Sequence, residues 1–358
     1  MVSFERVRTK LATSVNHDSA EELLTRSKVI LPIIELGNTD RIERDLSKPL
    51  ALGRSGNLLS NDVVEAYMKA GKIAAEARKE ARGLVKEGVP ILELCSKVEE
   101  TIRAKGGRLA FPCNVCVNEV AAHYSSPIGD VRTILPGALV KVDLGVHVDG
   151  YIADTATTVN LNPGLDAMVR GVEEALNRAI EAVRPGVRTG DIGGAIEKAI
   201  EGYGFRPVSN LSGHQMTRFV LHTGKSIPNI RSGGFERISE GDVYAVEPFL
   251  TTRGAKGRVR SEEEEVYIHR FHKEKRLKSV GAKKLLTAIR SEFKSLPFSM
   301  RWLTDVLPPS DLEESFRELV EQKCVVGYPV LVEETGQLVA QAEHTLIVTR
   351  DGCVVTTL

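Results

Sequence analysis

From Asn61 onward the apolar residues recur at helical spacing. Val64, Met68, Ile73, Ala77, Leu84 and Val85 share one face, with Asn61 as the expected N-cap and Gly88 as the stop. A second helix is predicted over about 91–105, striped by Ile91, Cys95, Val98 and Ile102 and stopped by Gly106 and Gly107. The same arrangement returns further on. A helix over about 165–183 carries Met168, Val172, Leu176, Ala179, Ile180 and Val183, and Pro185-Gly186 ends it. Its successor turns Ile192, Ala195, Ile196 and Ala199 inward and ends at Gly204. Gly88 and Gly186, like Gly106 and Gly204, stand 98 positions apart, which points to two αβ halves of one domain. Period-two segments follow the helices. Val140–Val148 and Tyr151–Val159 flank Asp149-Gly150, a strong hairpin turn. Val243–Val246 is another strand, and Val330–Val332 with Leu338–Val348 around Gly336 reads as a last hairpin. Residues 270–322 revert to helix, one starting at Ser310 with Glu313 at capping-box spacing and Leu312, Phe316, Leu319 and Val320 inward. Residues 1–60, with 9 basic and 8 acidic side chains, lack sustained periodicity and read as a weakly structured extension.

Composition narrows the class without naming a function. The 358 residues, 42% hydrophobic, are enough for a sizeable core, and 48 basic against 48 acidic residues argue against a chain coated for nucleic acid. Five Cys is too few and too odd a count for a disulfide framework, so a reducing cytoplasm is expected. Val29–Ile34, interrupted by Pro32, is far short of the roughly 20 apolar residues a membrane crossing needs. No membrane association and no secretory signal are expected.

The acids on strands change the picture. With Asp149-Gly150 as a two-residue turn, Gly145 faces Asp154, and Asp143 lies on the same face. The two carboxylates become diagonal neighbours roughly 7–8 Å apart at the backbone, with the glycine leaving open space beside them. A wet outer face and a metal site are both open on that evidence. Glu247 and Glu343 are then found in otherwise apolar strands, where unpaired charge is costly. Four inward acids cannot ionise together without cations. With one imidazole, for which His214 after the small Ser212-Gly213 step is the natural choice, the set suits a pair of divalent transition metals.

These residues stand in recognisable surroundings: Phe111-Pro112, Asn118 to Tyr124, Lys141 to Gly150, Ala153 to Ala156, Asn210 to His214, Leu221-His222, Ala245 to Phe249 and Gln341 to Thr345. In order and spacing they resemble the type II methionine aminopeptidases, over about residues 61–358. The resemblance implies an α/β (α+β) pita-bread fold with pseudo-twofold symmetry. Its catalytic part would span 61–269 and 335–358, with an inserted helical subdomain over 270–334. It implies a dinuclear centre with Asp143, Asp154, His214, Glu247 and Glu343 as ligands. Asp154 and Glu343 would bridge, His214 and Glu247 would serve one metal, and Asp143 would chelate the other. Co, Mn, Fe and Zn all tolerate this donor set. A bridging hydroxide would attack the carbonyl of an N-terminal Met, and Glu247 would shuttle the proton. His123 and His222 would hydrogen-bond the scissile peptide, Phe111 and Tyr328 would line the Met pocket, and a cramped subsite would demand a small second residue. Tyr328 is placed on the loop before the last hairpin. The implied setting is a cytoplasmic monomer acting on nascent chains.

Other features have simpler readings. Cys113 and Cys116 form a lone CxxC and read as loop thiols bordering the pocket. The run Glu262–Glu265 reads as a solvated loop. Ala342, where many relatives of that family carry Phe, loosens the packing expected behind Glu343. Arg270–Arg301 holds ten Lys or Arg against Glu274 and Glu292. That stretch is the polar outside of the insertion or, more sharply, a ribosome contact. A non-catalytic ribosome-binding relative would lose ligands, and all five candidates are present. A prolidase-like dipeptidase would need a larger N-terminal domain than 60 residues.

Overall fold

Each half of the repeat places two helices over an antiparallel sheet. The computed structural model describes residues 59–234 and 236–358, all within one compact unit, so the reading of residues 1–58 lies outside the described residues. Helix α1 (Asn61–Leu84) starts one residue earlier than a cap at Asn61 would allow, with Ser60 in the cap position. Its inward face is Ala70, Gly71, Ala74, Ala77 and Ala81 beside Tyr67 and Ile73, whereas Val64 and Met68 are only half-buried. Small residues let the helix lie close to what it covers. A Cβ added at Gly71 would meet the Thr356 carbonyl oxygen at 2.0 Å. Helix α2 (Ile91–Ala104) buries the expected stripe. It leads to β1 (Arg108–Val117) and β2 (Val120–Ala122), followed by the hairpin β3 (Leu139–Val148) and β4 (Tyr151–Asn160). Asp149 (φ 52°) and Gly150 (φ 91°) make the turn, both in the left-handed region that such a tight hairpin requires.

The second half repeats the first. Helices α3 (Asp166–Ala182) and α4 (Thr189–Gly202) precede β5 (Arg206–Pro207), β6 (Ser212–Met216), β7 (Ser226–Pro228), β8 (Val243–Val246) and β9 (Phe249–Thr251). The paired glycines are equivalent in detail. Gly88 and Gly186 have φ of 78° and 85° and donate to Ile134 and Ile238 at 2.8 Å each, while Gly106 and Gly204 stand at 81° and 82°. The pseudo-twofold is therefore built into the backbone.

The remaining elements are β10 (Val259–Phe271), α5 (Val280–Glu292), β11 (Phe298–Ser299), α6 (Pro309–Glu321), β12 (Val325–Glu333), β13 (Val339–Gln341), β14 (His344–Val348) and β15 (Cys353–Val355). The sheets run β1-β3-β4, β15-β14-β8-β6-β7, β11-β10-β12-β2 and β13-β9-β5. Val140, Val142, Leu144 and Val146 pack under α1 and α2, and Tyr244, Val246, Leu346 and Val348 pack under α3 and α4. The opposite faces meet through Phe111, Ile152, Met216, Ala245 and Ile347, so the helices are outside and the two sheets enclose the middle.

Several expectations are corrected. Segments 330–332 and 338–348 are not a hairpin: β12 pairs with β10 and β2, β13 with β9, and β14 with β8 and β15. The Glu333 carboxylate accepts from Thr335 N, Thr335 Oγ1 and Gln337 N, and this turn carries the chain from one sheet to another. Glu262–Glu265 lies on strand β10 at a bulge, with its side chains exposed or half-exposed. Helix α6 begins at Pro309, whose fixed φ suits a first helical residue. Ser310 is therefore inside the helix and forms no capping box, and Val320 is exposed. Cys113 and Cys116 are on β1, buried in the core with Cys95 rather than at the pocket. Ala342 is buried among the second half's core residues.

Candidate metal centre

The hairpin register brings the first two acids together: Gly145 pairs with Asp154 and Asp143 with Ala156. Their face is not wet. Lys141 and His147, which share it, are 1% and 5% exposed. Nor does Gly145 open space beside the acids, because the Phe111 ring fills it. A Cβ there would lie 2.3 Å from the ring.

Glu247 and Glu343 occupy equivalent interruptions rather than strand interiors. Glu247 follows β8 and precedes Pro248, and Glu343 lies between β13 and β14. Pro248 has no N–H to continue a ladder, and its carbonyl accepts from Ala342 N at 3.3 Å. Glu343 N donates to Ala156 O at 3.1 Å, which sets it beside the hairpin. His214 sits in β6 opposite Ala245. Gly213 permits that approach, since a Cβ would lie 2.4 Å from the Ala245 oxygen.

The side chains converge. His214 Nε2 is 3.6 Å from Asp154 Oδ2 and 3.6 Å from Glu247 Oε1. One ligand atom each from Asp154, His214 and Glu343 lie within 4.8 Å of one another. Asp143 joins them on the wall of a single cavity of about 70 Å³, with His123, His222, Phe111 and Tyr328 also on its wall. Every candidate site residue from the sequence thus borders the same space.

Electrostatics is strained without cations. Burial raises all four carboxyls, Asp143 to about 7, and mutual repulsion raises Asp154 and Glu343 further. Glu247 is raised by burial and by Asp143. Asp143 Oδ1, Asp154 Oδ1 and His214 Nδ1 are buried without a hydrogen-bond partner. Hard oxygen donors in excess, one neutral imidazole and unpartnered buried atoms fit divalent metal binding.

The remaining wall has its own order. His123 has a left-handed backbone (φ 67°), and its Nδ1–H donates to Pro329 O at 3.2 Å. Burial keeps it neutral, leaving Nε2 as an acceptor. His222, lowered to about 4 chiefly by burial, has its ring 4.1 Å from that of His214. Tyr328 meets His123 edge-on at 5.7 Å. It is on strand β12 opposite Ile268, not on a loop.

Two residues beside the acids escaped the sequence reading. Asn114 faces Asp143 in register, lines the cavity and has a buried Oδ1 without a partner. Gln341 Nε2 donates to Glu343 Oε2 at 3.3 Å and reaches Glu247 Oε2 at 3.5 Å. Strand parity from Glu343 would have found Gln341, whereas no spacing rule marks Asn114.

Comparison with known proteins agrees with this geometry. Residues 65–270 match Metallopeptidase family M24. The chain is 48% identical over 298 residues to the methionine aminopeptidase of Methanothermobacter thermautotrophicus, covering 82% of this chain and 99% of that protein. It is 43% identical to that of Thermococcus onnurineus, covering 83% and 100%. Among solved structures, a thermophilic Arx1 superposes with a TM-score of 0.71 at 20% identity, over 83% of this chain and 91% of that one. Methionine aminopeptidase from Thermotoga maritima follows at 0.61 and 22%, over 84% and 98%. At those identities the superpositions speak for the pita-bread fold alone.

Proposed function

The chain belongs to metallopeptidase family M24, to its archaeal-like type II methionine aminopeptidases, and on that footing we propose that Asp143, Asp154, His214, Glu247 and Glu343 hold two divalent cations at which N-terminal Met is released. By the resemblance, His214 and Glu247 would help hold one cation and Asp143 the other, with Asp154 and Glu343 contributing to both. The observation that carries it is the convergence of four carboxyls, Asp154 and Glu343 buried and Asp143 and Glu247 half-buried, and one imidazole on one cavity, with three of their buried atoms lacking a hydrogen-bond partner.

Bound cations would polarise the scissile carbonyl and lower the pKa of water so that hydroxide exists near neutral pH. Glu247, oriented by Gln341, takes the proton from water and delivers it to the departing amine. Neutral His123 accepts a hydrogen bond at Nε2 from the scissile amide, its other nitrogen being committed to Pro329. His222 holds the substrate from the side of His214. Phe111 and Tyr328 give the Met side chain an apolar seat, and a small second residue belongs to the same proposal.

The same proposal divides the described chain at 270 and 334. Residues 277–325 have a core of their own, while β12 returns to the sheet that carries Tyr328. Five unpaired thiols support a cytoplasmic setting, and no helix among the described residues is long and apolar enough to cross a membrane. The basic stretch is thinner than its count. Half-buried Arg301 pairs with buried Glu99 and Arg290 pairs with Glu274, whereas Lys283 and Lys284 are exposed. Reversing Lys283 and Lys284 is expected to reduce ribosome co-sedimentation, and unchanged co-sedimentation would remove that contact from the account.

Peptide assays test the function itself. Met should be released from Met-Ala-Ser, and cleavage of X-Pro bonds without Met release would overturn the reading. Gly145→Ala is expected to drive the Phe111 ring into the cavity and raise KM for Met peptides about tenfold, an overpacking effect of ~1–3 kcal/mol. Steady-state kinetics reads it, and an unchanged KM would mean that Phe111 does not shape the pocket.

A further inference from the structure

Arg78 of α1 does not line the cavity, yet it grips β4, which carries Asp154, and the first residue of β14, directly after Glu343. Its Nη1 donates to Thr155 Oγ1 and, at 3.1 Å, to His344 Nδ1. Thr155 directly follows Asp154 in the chain, and His344 directly follows Glu343. One nitrogen therefore ties the next residue after each of the two carboxylates read as bridging.

The contacts continue around that nitrogen. Thr155 Oγ1 donates to Glu343 O at 2.8 Å. Thr345 Oγ1 accepts from Asp154 N at 2.7 Å and donates to Asp154 O at 2.8 Å. Thr357 Oγ1 lies 2.8 Å from His344 Nδ1 and accepts from Thr345 N at 3.1 Å. A guanidinium can only donate, so His344 Nδ1 accepts. The backbone on both sides of the Asp154–Glu343 contact is thereby stitched together, with Arg78 as its charged member.

Charge alone gives Arg78 the wrong sign for this place. A cation beside Glu343 opposes the binding of other cations, and Arg78 remains charged at neutral pH although burial draws it down to about 10. If its charge were its whole effect, removing it would tighten metal binding. If it positions the acids, removing it would weaken metal binding despite the lost repulsion.

We propose that Arg78 is a positioning residue that fixes the separation of Asp154 and Glu343 and so sets how tightly the centre holds divalent cations. This rests on the reading of those two acids as ligands. Outer-shell partners of metal ligands typically alter affinity about 10–100-fold, and a fall of about that size is expected here.

The test is titration of chelated protein with Co²⁺ alone, followed by calorimetry and visible absorption, for wild type, Arg78→Met and Thr155→Val. Expected are about 10–100-fold weaker Co²⁺ binding for Arg78→Met, a weaker affinity in the same direction for Thr155→Val, and unchanged far-UV circular dichroism. Unchanged or tighter Co²⁺ binding with only a lowered Tm would overturn the proposal and leave Arg78 a structural residue. Should Arg78→Met fail to fold, Arg78→Lys decides, since it keeps the charge and the Thr155–Glu343 bond and alters only the hold on Thr155 and His344; unchanged Co²⁺ affinity there would overturn the proposal. Wild type that bound no Co²⁺ would bring down the ligand assignment itself.

Discussion

Asp154→Asn and His214→Ala are each expected to cut release of Met from Met-Ala-Ser by at least about three orders of magnitude, because in the proposed centre either change removes a metal donor on which activation of water would depend. Asp154 is 3% exposed and His214 is 7% exposed, and their side chains meet at 3.6 Å. Neither substitution removes the bonds between β4 and β14 at this point, since it is the main-chain N and O of Asp154 that meet the Thr345 hydroxyl. Far-UV circular dichroism should therefore be unchanged while both turnover and bound metal fall. Activity that survived both changes with metal content reduced would contradict the assignment.

The second large effect is on stability. Asp143 is held at about 7 by burial, and Asp154, Glu247 and Glu343 are raised well above the usual carboxylate range, burial leading in each. A raised folded-state pKa means stability that is full below the unfolded value and lost as pH rises through the folded one. For Asp143 alone the shift from 3.8 to about 7 corresponds to ~4 kcal/mol.

The buried histidines act in the opposite sense. His147, His222 and His269, lowered by burial to about 4, contribute stability that is present above the unfolded histidine value and lost as pH falls toward 4. Lys141, lowered by burial to about 8, adds stability only as pH rises beyond that value. Between about pH 6.5 and 8 the acids dominate. Metal-free protein should lose Tm across that window, and saturation with a divalent cation at about 100 times Kd should add ~2.7 kcal/mol and flatten the dependence. A metal-free Tm that rose across the window would show that the acids are not forced to ionise together.

What the chain disclosed in advance follows from how local the signals are. The hairpin register at Asp149-Gly150, and with it the shared face of Asp143 and Asp154, depends on a two-residue turn and strand parity alone. The duplicated helices declared themselves through glycines that need φ > 0 at equivalent stops. The partners of β12, β13 and β14 are long-range, and no local rule distinguishes a hairpin around Gly336 from a crossing between sheets. The pairing of half-buried Arg301 with buried Glu99 escaped for the same reason, because nothing in a basic stretch marks which arginine turns inward, where Trp302 Nε1 also donates to Glu99 at 2.8 Å. The five candidate ligands came from separate segments, grouped first by charge set in apolar strands and then assigned individual ligand roles by resemblance. Geometry then added Gln341, which strand parity also offers, and Asn114, whose place opposite Asp143 exists only once the strands are paired.

The most direct measurement is Met release from Met-Ala-Ser by chelated enzyme as a divalent cation is returned stepwise under anaerobic conditions, with bound metal counted at each step. The expected result is no turnover without metal and activity that goes on rising through the second equivalent bound. Turnover in metal-free protein, or full activity reached with a single equivalent, would contradict the two-cation centre.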